Sequence, residues 1–369
     1  MKLVLLSDPD SVHTARWATS LALKGLEVYI IGLSPITNSI YYSHKNIKVY
    51  DLDIDSKDVK QSSGLFSKLK YLKTLNKVKS LIREIKPDII HAHYATSYGL
   101  LGALSGFHPF IISVWGSDVF IFPKKSVIHK KILKFNLKKA DIILSTSHAM
   151  AKETALYTDK DIEVTPFGID LDKFKPMKVE SIFSENDIVI GTIKSLEPEY
   201  GIEYLIRAFK IVVEKNISLP LKLLIVGAGS LEAKLKKMVY DSGLSEYTVF
   251  PGKVPFDEIP KYHNMIDVPV FVSNSESFGV AVIEASACEK TVVVSDVGGL
   301  PEVVENNVTG VVVPPRNEIE TAKAIEKLVL DKSLRGKMGK AGRERVKKLY
   351  NWEDNVKQMI EIYRKVLKS

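Results

Sequence analysis

Residues 268–315, VPVFVSNSESFGVAVIEASACEKTVVVSDVGGLPEVVENNVTGVVVPP, decide the fold. VPVFVS (268–273) reads as a buried strand that ends in a polar loop, and Ser277-Phe278-Gly279 then leads into the helical sequence VAVIEASAC (280–288). Two more Val-rich runs, TVVVSD (291–296) and GVVVPP (310–315), complete a strand–loop–helix–strand order. Parallel strands need crossover connections of this kind. Upstream, DIVIGTI (187–193), LKLLIVGAG (221–229) and TVFPGKV (248–254) belong to the same series. An earlier series runs through LVLLS (3–7), EVYIIGL (27–33), IKVYDL (47–52), DIIHAHY (88–94), FIISVWG (110–116), DIILSTS (141–147) and IEVTPFG (162–168). Helical stretches such as HTARWATSLALKG (13–25) separate them, so each series implies an α/β domain with a parallel sheet covered on both faces.

Between the two series lies the polar, proline-containing DLDKFKPMKVESIFSEND (170–187), which reads as the linker. The expected organisation is an N-terminal Rossmann-like domain over 1–178, a C-terminal one over 179–350, and a final helix over 351–369. That helix carries an apolar stripe of Trp352, Val356, Met359, Ile360, Tyr363 and Val366, and is expected to pack back on the N-terminal domain. Ligands of open parallel sheets bind beyond the carboxyl ends of the strands, so two such domains facing each other make a central cleft.

The chain has 369 residues, 45% hydrophobic and 26% charged, enough for two domains with separate cores. MKLVLLSDPD has too short an apolar run for a signal-peptide core, and no later run is long enough to cross a bilayer, so a cytoplasmic protein is expected. Cys288 is the single cysteine, which excludes an internal disulfide; its helical context reads as a buried, inert thiol. The net charge of +8 points to acidic partners: nucleotide or lipid phosphates, an anionic membrane face, or nucleic acid. Much of it lies in LFSKLKYLKTLNKVKSLIREI (65–85) and PKKSVIHKKILKFNLKKA (123–140). Leu65, Leu69, Leu72, Leu75, Val78, Leu81 and Ile85 recur at helical spacing in the first, which predicts a surface helix packed on its own sheet. Its lysines are compatible with an anionic membrane surface.

Free backbone N–H groups at the start of the helix after Gly279 can hold a phosphate or a sugar hydroxyl, and Gly279 lets a ligand approach closely. Glu284 lies five residues on, roughly 7 to 8 Å along a helix, about the span from a diphosphate to its ribose. Glu276, just ahead of the helix, would then face the transferred sugar. Either glutamate alone is also what an ordinary helix N-terminus attracts.

The pattern E-x-F-G with a second Glu eight residues after the first, followed by V-G-G-x-P-E, resembles the signature of the retaining GT-B glycosyltransferases called group 1 or family 4. PDIIHAHY (87–94), SVWGSDV (113–119), KKADIILSTS (138–147) and TPFGIDLDKFKP (165–176) resemble recurring segments of the same family. The resemblance implies that Glu276 contacts the donor sugar, Glu284 binds ribose, and the backbone of Phe278, Gly279 and Val280 meets the sugar and diphosphate. It implies front-face attack with retention, the leaving phosphate taking the acceptor's proton.

The sequence departs from the family at its phosphate site. Where the family has G-R-L-x-x-x-K-G, GTIKSLEPEYG (191–201) puts Ser195 at the Arg position and Tyr200 at the Lys position. Lys194 is the nearest replacement cation, and Lys253 in FPGKV (250–254) is a second candidate. A family histidine before the glycine of the H-G loop is replaced by Trp115, while Asp118 remains as a polar group expected to face the cleft. His93, at a strand end where the family also has a histidine, is either catalytic or hydrogen-bonded within the fold. SDPDSVHTARW (7–17) stands where many relatives have a glycine-rich loop. There His13, Thr14 and Arg16 open a helix on the acceptor side; either Arg16 pairs with a phosphate or the SDPDS segment caps the helix.

G-A-G at 227–229 follows a strand, but Glu232 stands at the third glycine of the dinucleotide fingerprint. Gly227 and Gly229 are read instead as a tight turn lining the nucleotide pocket. Asp51-Leu52-Asp53 falls in the wrong domain for the donor, so no metal and no cofactor are expected. The expected function is sugar transfer from a UDP- or GDP-sugar to a glycan or lipid-linked acceptor in polysaccharide or cell-envelope synthesis, with no nucleic-acid partner. Two alternatives remain open at this point: a nucleotide-sugar epimerase of the same architecture, and a non-catalytic nucleotide-sugar-binding protein.

Overall fold

The computed structural model describes residues 1–33, 35–37, 39–52 and 65–368, the side chains of 65–73 excepted. The chain divides into two compact units, Met1–Pro166 with Asn355–Ser369, and Phe167–Asp354. The division falls earlier than residue 178 because Phe167, Ile169 and Phe174 are buried in the second unit, where Ile169 bridges to Asn351. Polarity alone points to the later position, since it does not show which core the apolar residues of the segment enter.

Among the described residues the first unit holds seven strands: β1 Lys2–Leu6, β2 Glu27–Gly32, β3 Ile47–Asp51, β4 Ile89–His93, β5 Phe110–Val114, β6 Ile142–Ser145 and β7 Ile162–Val164. They form one sheet in the order β3-β2-β1-β4-β5-β6-β7, and every pairing is parallel. The chain starts in the middle, at β1, and works out to one edge before crossing to β4. Leu3 to Leu6, Ile89 to His93 and Phe110 to Val114 are buried throughout, as strands covered on both faces require. The helix Leu65–Ile85 forms as expected, with Val78, Leu81, Ile82 and Ile85 in the core. Its predicted contacts at Leu65, Leu69 and Leu72 lie outside the described residues, as does Asp53.

The final helix, Trp352–Val366, crosses from the second unit into the first. Tyr363 is buried and its hydroxyl lies 2.8 Å from His91 Nδ1 on β4.

The second unit holds β8 Ile188–Ile193, β9 Leu221–Val226, β10 Thr248–Gly252, β11 Val268–Phe271, β12 Val292–Ser295 and β13 Gly310–Val313. Their order is β10-β9-β8-β11-β12-β13, again all parallel. Each sheet reverses direction of growth once, between β1 and β4 in the first and between β8 and β11 in the second. Such switch points leave a crevice at the carboxyl ends of the two flanking strands. In the second unit those ends lead directly into Lys194 and into the loop that carries Glu276.

Candidate active site

The switch point of the second sheet gathers the charged groups. Lys194, one residue beyond β8, puts its Nζ 2.5 Å from Glu276 Oε2, and the two side chains are only 12% and 10% exposed. The ammonium also sits 4.4 Å from the centre of the Tyr200 ring. Burial alone would lower the Lys194 pKa, but the Glu276 charge, with Tyr200 and Glu284 behind it, more than offsets this and raises it. Lys194 is therefore a fixed cation. Tyr200, which stands where a family lysine is expected, offers its ring face to the neighbouring lysine that sits there instead.

Two glycine turns hold these groups in place. Gly227 has φ +140, and a Cβ on it would lie 1.9 Å from the Lys194 carbonyl oxygen; one on Gly229 would lie 2.5 Å from that of Leu196. The backbone is tied across the same contact by Lys194 N–H to Val226 O and Leu196 N–H to Ala228 O, both 3.0 Å. The G-A-G turn therefore serves as the seat of the Lys194 loop. On the other side, Gly298 has φ +52 and a Cβ there would lie 1.8 Å from the Glu276 carbonyl oxygen, while Gly299 donates its N–H to the same oxygen at 3.2 Å. In the sequence alone V-G-G-x-P-E is no more than a signature. Its two glycines let the following turn lie flat against the Glu276 backbone.

Gly279, with φ +105, caps the helix Val280–Ala287 without a side chain, and Val282 N–H turns back to its carbonyl at 3.0 Å. By helix geometry the N–H groups of Val280 and Ala281 take no partner within the helix. Phe278 is anchored in the core against Phe167 and Tyr350, so only its backbone is available to a ligand. One turn on, Glu284 is 7% exposed, and its Oε2 lies 3.3 Å from His263 Nε2. Lys253 follows β10 on an exposed loop with no ion pair or hydrogen bond among the described residues; only the bond from Gly227 N–H to Gly252 O, 2.9 Å, links it to the Lys194 turn. Lys194 and Lys253 are thus unequal candidates, one held by charge and aromatic contacts and the other in solvent.

In the first unit the residues expected near the acceptor lie around the switch between β1 and β4. His93 is buried, with Nδ1 3.1 Å from Ser7 Oγ and its ring 4.5 Å from that of Trp115. Burial, then the repulsion that a proton on His91 or His13 would exert, hold its pKa well below the usual histidine value, so it is neutral. Ser7 Oγ also meets Thr14 Oγ1 at 2.6 Å, and Thr14 is fully buried. Thr14 is therefore part of the packing beneath the loop rather than an open acceptor contact. His13 stands edge-on to Trp115 at 5.8 Å, and Arg16 is half-buried on the same helix, Val12–Leu23.

Asp118 differs most from its expected place. It is fully buried and accepts the N–H groups of Ala95 and Gly116, both at 2.8 Å, and of Trp115 at 3.2 Å. Burial holds its pKa above the usual aspartate value, against the opposing pull of these backbone bonds. Its carboxylate pins the loops after β4 and β5 and leaves no open face to a ligand. The capping alternative for SDPDS also changes. Ser11 caps the helix Val12–Leu23 by backbone conformation alone, with no side-chain bond, whereas Asp10 accepts Thr37 N–H at 2.9 Å and its hydroxyl at 2.8 Å.

Two parallel-sheet α/β units, each with one strand switch, are the architecture of the GT-B class, to which the glycosyltransferases below belong. The fold is shared with the sucrose-phosphate synthase of Thermosynechococcus elongatus, at TM-score 0.85 and 22% identity over 100% of this chain and 99% of that one. Residues 2–147 match the glycosyl transferase 4-like family, and residues 174–345 match the glycosyl transferases group 1 family. The chain belongs to these group 1, or family 4, glycosyltransferases and is therefore a transferase. It is 26% identical over 364 residues to the N-acetyl-alpha-D-glucosaminyl L-malate synthase of Bacillus anthracis, covering 95% of this chain and 92% of that one. It is 29% identical over 350 residues to the capsular polysaccharide biosynthesis glycosyltransferase CapM of Staphylococcus aureus, covering 88% of each.

Proposed function

We propose that this chain is a retaining glycosyltransferase that moves a sugar from a nucleotide-diphosphate donor to a glycan or lipid-linked acceptor in polysaccharide or cell-envelope synthesis. The carrying observation is the buried Lys194–Glu276 pair beside Glu284 and the uncapped helix start at Gly279. In this reading the Val280 and Ala281 N–H groups and Lys194 take the diphosphate, and Glu284 takes the ribose hydroxyls. Negative charge grows on the leaving diphosphate in the transition state, so a cation and backbone dipoles fixed beforehand act where they lower the barrier. Glu276 then has two tasks: it holds Lys194 at rest, and it accepts hydroxyls of the donor sugar. The leaving phosphate oxygen takes the proton of the attacking hydroxyl on the same face, which gives retention, and the chain supplies position rather than a nucleophile.

No metal or cofactor is needed in this scheme. Its support is that the charge on the diphosphate is met by Lys194, a buried cation fixed by Glu276. The acceptor belongs to the first unit. There the helix Val127–Lys139 exposes Val127, Ile128 and Phe135 among Lys130, Lys131, Lys134, Lys138 and Lys139, a combination that suits an anionic membrane surface. No helix among the described residues is long and apolar enough to cross a membrane, so attachment would be peripheral.

A thermal-shift panel of UDP- and GDP-sugars finds the donor, and the anomeric configuration of the product, read by NMR, tests the mechanism. An inverted product overturns retention. Stabilisation by no nucleotide sugar overturns the donor class.

A further inference from the structure

The donor site as read so far rests on Glu284, yet a carboxylate on a helix is useful only if its oxygens are aimed. One side chain in the structure does that. His263, on the helix Ile259–Met265, is completely buried, and its Nε2 lies 3.3 Å from Glu284 Oε2. The other ring nitrogen, Nδ1, is buried and has no partner among the described residues. The Phe174 ring stands edge-on to the imidazole at 6.1 Å.

These facts fix the proton. A proton on Nδ1 would be a buried donor without an acceptor, whereas a proton on Nε2 points at a carboxylate oxygen; the Nε2–H form is the one the surroundings stabilise. His263 then donates to Oε2 and leaves Oε1 without a hydrogen-bond partner among the described residues. Holding one oxygen fixes the carboxylate plane and the rotamer, so the second oxygen meets an incoming pair of hydroxyls without first being ordered. We infer that His263 is a positioning residue that aims Glu284 at the ribose hydroxyls of the donor, and so sets the preference of this site for a ribonucleotide. The inference rests on the proposed role of Glu284, and it assigns a function to a histidine that sequence reasoning passed over.

The test measures binding of UDP and GDP, whichever binds better, and of the matching 2′,3′-dideoxynucleoside diphosphate, by calorimetry on the full chain. The ratio of the two affinities reports the ribose contacts alone. In the wild-type protein the ribonucleotide binds more tightly. His263→Phe keeps the ring volume and removes the donor; it should weaken the ribonucleotide about three- to tenfold and leave the dideoxynucleotide unchanged. His263→Gln, which can place an amide N–H near the Nε2 position, should recover part of the ratio. A merely structural role would lower both affinities together, and that result overturns the inference, as does a His263→Phe ratio equal to wild type. Glu284→Ala separates the two layers of the argument. If it abolishes the ratio while His263→Phe does not, only the positioning role fails; if Glu284→Ala keeps the ratio, the ribose assignment itself is wrong.

Discussion

Lys194→Ala is the sharpest perturbation of this site, because the lysine is both a proposed catalytic cation and half of a buried pair. With its partner only 10% exposed and 2.5 Å away, removal of the ammonium leaves the Glu276 carboxylate nearly buried and unpaired. Breaking such a pair from one side costs about 3 to 5 kcal/mol, mostly desolvation of the orphaned charge. Part of that is relieved if Glu276 takes up a proton. Urea denaturation should therefore show Lys194→Ala strongly destabilised, and Glu276→Gln in the same background should restore much of the loss. The coupling between the two changes is expected to exceed about 1.5 kcal/mol. Turnover should behave differently: the Lys194→Ala/Glu276→Gln double variant regains stability yet stays about a hundredfold or more below wild type, since the preorganised cation is gone. Lys194→Arg should keep part of both. Additive effects on stability would refute the paired-charge argument. Wild-type turnover in Lys194→Ala, with Lys253→Ala crippled instead, would move the phosphate cation to the exposed loop.

Other expectations follow from the same packing. Gly298→Ala must place a Cβ against the Glu276 carbonyl oxygen at a φ of +52, so it should cost at least about 1 kcal/mol in stability and lower turnover by shifting the Glu276 loop; a wild-type kcat would show that the loop tolerates the shift. Lys194 has a raised pKa, so its stabilising contribution should be fully present below the ordinary lysine value of 10.5 and fade only as pH rises above it; a loss of stability near neutrality that Lys194→Met removes would contradict this. His91, between Tyr363 and Ser113, has a pKa lowered by burial from 6.5 to about 3, so it resists protonation in the folded state. Its contribution is intact above about pH 6.5 and declines as pH falls towards 3, and His91→Gln should flatten that acid limb in denaturation measurements. Transfer activity should survive EDTA; abolition by chelator and recovery with a divalent ion would refute the metal-free scheme.

The alternation of Val- and Ile-rich runs with helical stretches determined two parallel α/β sheets, because strands buried on both faces must be apolar along their length. The E-x-F-G pattern and the second glutamate eight residues on likewise marked the loop and the helix proposed here to hold the donor, since that pattern is local to one loop and one helical turn. What only the tertiary structure decided involves residues far apart in the chain. Tyr200, a mere departure in the sequence, proves to be the ring beneath Lys194. Gly227 and Gly298 are tight because other loops press on them, and a sequence shows a glycine without showing what crosses it. Asp118 and Thr14 look like site residues in one dimension, but burial decides whether a polar group serves a ligand or its own backbone, and both are enclosed. His263 carried no motif at all. Its meaning comes from a carboxylate 3.3 Å away on another helix, a distance that folding alone creates.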